Sequence, residues 1–210
     1  MAAFDLQEQE QIAELKAMWA KWGMLITGTI VAVVVGYLGR QLWTGYQAKQ
    51  GEAAGNLYAA VDKAFEAHDA VKTRAAADAM VASAPSHAAT ARAMLLAARA
   101  AVDAKDTEHA KSALQWVIDH AKEDAVVDTA KLRMAAVLTD EKQFDAALKL
   151  VAASKSAGFA GLFADARGDI LLVKGDNDGA KKAYQEAAAK LDKANPAYQL
   201  VETKLLALGA

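Results

Sequence analysis

Ala166-Arg-Gly-Asp-Ile-Leu-Leu-Val-Lys-Gly-Asp-Asn-Asp-Gly-Ala-Lys-Lys-Ala-Tyr-Gln-Glu-Ala187 reads as two helices joined by a turn. Helix-forming residues flank Gly175-Asp-Asn-Asp-Gly179, where turn residues are concentrated. Gly168 and Ala180 are small residues twelve positions apart, accompanied by Leu171, Tyr184 and Ala187. Small side chains where two antiparallel helices cross let the axes approach, and larger ones push them apart. The spacing predicts that Gly168 and Ala180 face each other inside one hairpin.

The same twelve-residue offset occurs upstream at Ala98 and Ala110 and again at Ala135 and Ala147. The three units start 37 and then 33 residues apart, in the range of the ~34-residue tetratricopeptide repeat. Lys105-Asp106 supplies a turn signal in the first unit, and Leu138 and Phe144 are placed on either side of the turn in the second. A weaker fourth copy, Ala64 with Ala76, precedes them, so Asn56–His68 and Thr73–Ala84 are expected to form a degenerate first hairpin. Stacked repeats need a terminal helix with a polar outer face. Pro196–Leu208 suits that role, with Pro196 at a helix start and Leu200, Leu205 and Leu208 available to cover the last hairpin. The composition agrees: alanine is abundant, there are two prolines, and aromatics make up 7%. The expected class is all-α, a single transmembrane helix followed by a tetratricopeptide-like hairpin solenoid with a C-terminal capping helix.

The transmembrane expectation rests on Trp22-Gly-Met-Leu-Ile-Thr-Gly-Thr-Ile-Val-Ala-Val-Val-Val-Gly-Tyr-Leu-Gly39, which carries no charge. As a helix it is roughly 27 Å long, near the ~30 Å bilayer core. Trp19 and Trp22 at one end and Tyr37, Trp43 and Tyr46 at the other suit the two membrane–water boundaries. The tail before it carries Asp5, Glu8, Glu10 and Glu14 against Lys16 and Lys21, and bulky residues follow Arg40. A cleaved signal peptide has a basic start, a shorter apolar run and small residues at the cleavage site, so an uncleaved anchor is expected. The expected divisions are a tail over 1–21, the anchor over 22–44, a connector over 45–55 and the repeat domain over 56–210. Lys16 and Lys21 before the span balance Arg40 and Lys49 after it, so lysine and arginine do not decide the orientation. Ile12, Leu15, Trp19 and Trp22 give the tail an apolar face able to lie along lipid headgroups. Gly28, Ala32 and Gly36 line one face of the span, either to admit a partner helix or because small residues are common in membrane helices.

No catalytic or metal pattern emerges. Asp176-Asn-Asp-Gly179 lacks the acids that a calcium loop would need, because Lys174 and Gln185 stand in their places. His68, His87, His109 and His120 are scattered singly, and cysteine is absent. No cofactor is expected, and a net charge of −2 with pI near 6.1 gives no reason to expect nucleic acid. The surface expected to act is the concave face made by the first helix of each repeat. It would present Arg92, Leu95, Arg99 and Val102, then Thr129 and Leu132, then Leu162, Asp165 and Asp169. That face would be basic at one end and acidic at the other, suited to holding extended segments; a merely solvated helix face is the alternative. Phe159 and Phe163 are expected in the core of the third repeat, with an exposed apolar contact as the alternative.

Gly158-Phe-Ala-Gly-Leu-Phe-Ala-Asp-Ala-Arg-Gly-Asp-Ile-Leu-Leu-Val-Lys-Gly-Asp176, joined to an acidic tail and one span, resembles the YfgM family of ancillary subunits of the bacterial SecYEG translocon. The resemblance implies a single-pass inner-membrane protein, its tail cytoplasmic and its repeat domain periplasmic. It also implies partnership with SecYEG and unfolded translocating polypeptides, transfer to periplasmic chaperones such as PpiD, and no catalysis. The alternative reading is a tetratricopeptide coordinator of cell-envelope or division complexes.

Overall fold

The computed structural model describes residues 2–209. Met1 and Ala210, the ends of the expected tail and repeat domain, lie outside the described residues. All regular elements are helical: α1 (Ala2–Glu66), α2 (Ala70–Ser83), α3 (Ala88–Asp103), α4 (Thr107–His120), α5 (Asp124–Asp140), α6 (Phe144–Leu150), α7 (Ala160–Lys174), α8 (Asn177–Lys190) and α9 (Pro196–Ala207), with one 3-10 turn at Ala157–Phe159. Two compact units divide the chain, Met1–Glu52 and Ala53–Ala210. The 45–55 segment, expected as a connector, is helical and belongs to α1.

In the first unit the described apolar side chains of α1 are exposed. Met24 is 91% exposed and Leu42 76%, an arrangement that water would penalise at about 25 cal/mol per Å² of apolar surface. Among the described residues this is the helix long and apolar enough to cross a membrane. Among the described residues of the first unit, Gly23 is the buried one, covered by the Trp19 ring.

The second unit repeats one device four times. His68, Lys105, Lys142 and Gly175 adopt left-handed backbone angles, with φ of 53°, 61°, 62° and 92°. At each, the left-handed residue donates its N–H three residues back, to Phe65, Val102, Thr139 and Leu172. The next residue donates five residues back, to Ala64, Ala101, Leu138 and Leu171. This pair of bonds satisfies the otherwise orphaned carbonyls at a helix end and reverses the chain. That next residue then starts the second helix. Asp69, Asp106 and Asp176 accept side-chain hydrogen bonds from the backbones of Lys72, His109 and Gly179, while Gln143 makes no such bond.

Counting from these turns corrects the expected first hairpin. Ala110, Ala147 and Ala180 each lie four residues after the N-cap, and the corresponding residue in α2 is Thr73. Its counterpart twelve residues earlier is Val61, and both are fully buried. Ala64 and Ala76, the expected pair, are one helical turn out of register, because alanine is so frequent that a chance match at the right offset was available. The corrected series Val61, Ala98, Ala135, Gly168 steps by 37, 37 and 33 residues, and another 33 reaches Val201 of α9, also fully buried. α9 is thus the first helix of a further unit, and the expected capping segment matches it closely.

The residues sixteen positions after these small sites are Ala77, Leu114, Val151 and Tyr184, all buried. Size is exchanged between the two positions: valine goes with alanine, alanine with leucine or valine, and glycine with tyrosine. The contact is explicit in the last hairpin. A Cβ on Gly168 would collide with the Tyr184 ring. The expectation named Ala180 as the residue opposite Gly168, whereas the nearest atoms belong to Tyr184. Three apolar clusters follow the stack, around Met80, Met94 and Leu114, around Val151, Phe163 and Ile170, and around Tyr184 and Val201. Phe163 is 2% exposed and Phe159 packs against its cluster. Buried Asp128 of α5 accepts backbone hydrogen bonds from Lys155 at 3.0 Å and Ser156 at 2.7 Å, fastening the loop that follows the short α6.

Candidate functional site

Consecutive first helices touch one another, α3 on α5 and α5 on α7. Their free faces form one row, and the residues expected on it fall into two different environments.

On α3 the row is open. Arg92 is exposed and meets Glu123 at 3.4 Å, and Arg99 is exposed and pairs with Asp103 one turn later at 3.2 Å. Leu95 lies between them, partly buried, and Val102 is 42% exposed. On α5, Thr129 donates to the Ala125 carbonyl at 2.8 Å, and Leu132 packs partly against the Val151–Phe163 cluster. Arg133, not foreseen from the sequence, crosses from α5 to donate to the Leu95 carbonyl at 3.1 Å. Desolvation there, and then the positive charge of Arg99, hold its pKa below the usual arginine value.

On α7 the row is occupied. Lys204 of α9 reaches Asp165 at 2.7 Å and Asp169 at 2.7 Å, with its ammonium 5.3 Å from the centre of the Tyr184 ring. The Tyr184 hydroxyl donates to Asp169 at 2.7 Å. Leu162 packs partly against the same cluster. Burial pushes the Asp165 carboxyl above the usual carboxylate range, against the hydrogen bond from Lys204. Burial and the bond to Asp169 push the Tyr184 phenol well above its ordinary value. Burial alone would lower the Lys204 pKa, but its bonds to Asp165 and Asp169 outweigh that and raise it. The acidic end expected to face a ligand is therefore engaged by the chain itself. The signal was present as a lone lysine among the leucines of α9, but nothing local linked it to acids 35 and 39 residues earlier.

The repeat-packing residues lie inside. Ala98 and Ala135 are 1% exposed, Ala110, Ala147 and Ala180 are fully buried, and Gly168 is buried. In the span Gly28, Ala32 and Gly36 lie on the exposed helix surface, and a Cβ at either glycine would meet nothing within 4 Å. Among the described residues no group of three His, Cys, Asp or Glu side chains is arranged to hold a metal ion.

Residues 16–210 match the profile of a family described as a tetratricopeptide repeat-like domain. The chain is also 28% identical over 204 residues to the ancillary SecYEG translocon subunit of Neisseria gonorrhoeae, covering 97% of this chain and 98% of the relative. The chain belongs to the YfgM family of tetratricopeptide repeat-like proteins. The proteins of the same name from Escherichia coli and Haemophilus influenzae are 28% and 26% identical, covering 94% and 88% of this chain and 95% and 90% of the relatives. The matched profile takes in part of α1 as well as the hairpins, and the similarity to the YfgM relatives likewise runs over nearly whole chains.

Proposed function

We propose that this chain is an ancillary subunit of the SecYEG translocon, held in the bacterial inner membrane by α1. Its tail faces the cytoplasm and its repeats face the periplasm. The row of first helices receives extended segments of translocating polypeptides and passes them to periplasmic chaperones of the PpiD kind. The observation that carries this reading is the end-to-end similarity to relatives named as ancillary SecYEG translocon subunits. It is supported by an anchor joined to a repeat stack whose open face combines charge and apolar surface. Gly28, Ala32 and Gly36 supply the face on which a neighbouring membrane helix packs.

Co-purification from gently solubilised membranes is expected to recover SecYEG subunits and a membrane-anchored chaperone. Recovery of division or outer-membrane assembly proteins instead would favour the coordinator role. Topology is read separately. The chain has no cysteine, so Glu10→Cys and Glu52→Cys are each unique labelling sites. A membrane-impermeant maleimide applied to spheroplasts is expected to label position 52 and spare position 10. The reverse pattern would put the repeats in the cytoplasm and end the hand-off reading.

A further inference from the structure

The second helices α2 and α4 both pack on α3, and between them lies a cavity of about 280 Å³. That is below the ~300–1,000 Å³ of small-molecule sites, so it has room for a large side chain and not for a cofactor. Its lining includes Met94, Ala97 and Ala101, and Val71 stands at its edge, 79% exposed. Ala97, Ala101 and the cap residue Ala104 follow at offsets of four and three along α3, on the face opposite Arg92, Leu95 and Arg99. The cavity is therefore separate from the inner row.

The corresponding positions of the next units are filled. Ala101 corresponds to Leu138 and Leu171, both partly buried against the apolar clusters. Ala104 corresponds to Glu141 and Lys174, which reach the second helix of the preceding unit, at Lys111 and Asp145, each at 2.9 Å. Arg74 corresponds to Lys111, which is held by both Glu108 and Glu141. Around Arg74 the positions of those two acids are taken by Val71 and Ala104. The acid that pairs with Arg74 is Asp78 of the same helix, at 3.6 Å with both side chains more than half exposed, which is a weak pair. Asp106, which also lines the cavity, is engaged by His109. The first junction thus lacks both the leucine and the carboxylate that the second one carries.

We propose that this groove docks an acidic amphipathic helix of a partner protein, which sets an apolar side chain of leucine size or larger into the cavity and a glutamate or aspartate against Arg74. The partner supplies from outside what Leu138 and Glu141 supply from within the chain at the next junction. Lys111 takes a carboxylate across that junction, and the forked guanidinium of Arg74 suits the same acceptor. Side chains one turn apart share a helix face, so one amphipathic segment presents both groups together. The groove follows from the repeat register and does not depend on the translocon reading.

The test uses the full chain in detergent and fluorescent, alanine-rich helical peptides of about fifteen residues. One peptide carries Leu and Glu one helical turn apart, a second Leu and Gln, and a third Ala and Glu. The first is expected to bind about tenfold tighter than either of the others, the scale of one charge-assisted hydrogen bond or one buried leucine. Arg74→Gln is expected to remove the preference for Glu, and Ala101→Leu the preference for Leu. Leucine stands at the Ala101 register in the next two units, so that variant is expected to keep an unfolding midpoint no lower than the parent's. Should it fail to fold, Ala104→Glu, at an exposed position, puts an acid beside Arg74 and is expected by itself to remove the preference for Glu. Equal binding of the three peptides, no binding, or preferences that survive these substitutions would overturn the groove. Loss of the preferences on Arg99→Gln would put the peptide on the inner row, and self-association that Ala101→Leu abolishes would make the occupant a second copy; either result overturns the proposal. The peptides read the purified chain alone, so the outcome is scored apart from SecYEG co-purification.

Discussion

Gly168 shows how one missing side chain sets a hairpin. Alanine is a better helix former than glycine by about 1 kcal/mol, so Gly168→Ala at an exposed helical site would stabilise the chain. Here the added methyl would enter the Tyr184 ring, which is itself fully buried. Overpacking of this kind typically costs about 1–3 kcal/mol and reverses the sign. Thermal unfolding followed by circular dichroism is expected to show a lower midpoint for Gly168→Ala and a still lower one for Gly168→Leu. Lys182→Leu, on the exposed side of α8, should stay within about 0.5 kcal/mol of the parent. The exchange of size along the repeats makes a sharper forecast. Gly168→Ala combined with Tyr184→Leu recreates the pairing of Ala98 with Leu114, so the double variant should be more stable than the two single effects added together. Simple additivity would mean that the two positions do not share space.

At the scale of elements, three of the four turns place a side chain in a conformation that favours glycine. Left-handed backbone costs an ordinary residue about 1–2 kcal/mol, and only the last turn uses glycine for it, at Gly175. Lys142→Gly is expected to raise the unfolding free energy by about 0.5–1 kcal/mol, after the entropy lost by glycine is set against the relieved strain. Lys142 is the better test because Gln143, which follows it, makes no side-chain cap bond that the substitution could disturb. Denaturant titration at neutral pH reads the change directly, and a lower midpoint for Lys142→Gly would show that the turn is held by the lysine side chain. α9 belongs to this scale too. As the first helix of a further unit it buries Val201 where the other units bury Val61, Ala98, Ala135 or Gly168. Its Lys204 clamps α7 through Asp165 and Asp169, so the element that closes the core also closes one end of the inner row.

Across the whole molecule, acids with lowered pKa are spread along the stack. Asp69 is lowered by Lys72, Asp106 by His109, Asp145 by Lys174 and Glu186 by Lys190, each chiefly through a side-chain hydrogen bond. A carboxyl whose pKa is lower folded than unfolded stabilises the fold above the unfolded value, near 4, and that contribution disappears as pH falls through the folded value. Asp165 has the opposite sign, since a raised pKa favours folding as pH drops through it. With four groups against one, the repeat domain is expected to lose stability below about pH 4. The unfolding midpoint of the full chain in detergent, measured against pH, checks this, and a midpoint that rose on acidification would mean that the buried Asp165 outweighs the rest.

Local order was legible in the chain because its determinants lie within one repeat. An uncharged run flanked by aromatic residues marks a span, glycine and aspartate between alanine-rich stretches mark a turn, and a small residue twelve positions before another marks a hairpin. Family membership was legible for the same reason, since the Gly158–Asp176 stretch holds its motifs in one continuous segment. What only the tertiary structure decided were contacts between residues that no period links. Val61 and Thr73 replaced Ala64 and Ala76 because the turn at His68, and not alanine content, sets the register of the first hairpin. Tyr184 lies nearest to the space above Gly168, because the ring is large enough to reach the neighbouring helix from one turn beyond Ala180. Lys204 reaches α7 across 39 residues of chain and Arg133 reaches α3 across 38. Both contacts depend on how the units stack, and stacking is set by side-chain volume summed over neighbouring helices, which leaves no local signature in the sequence.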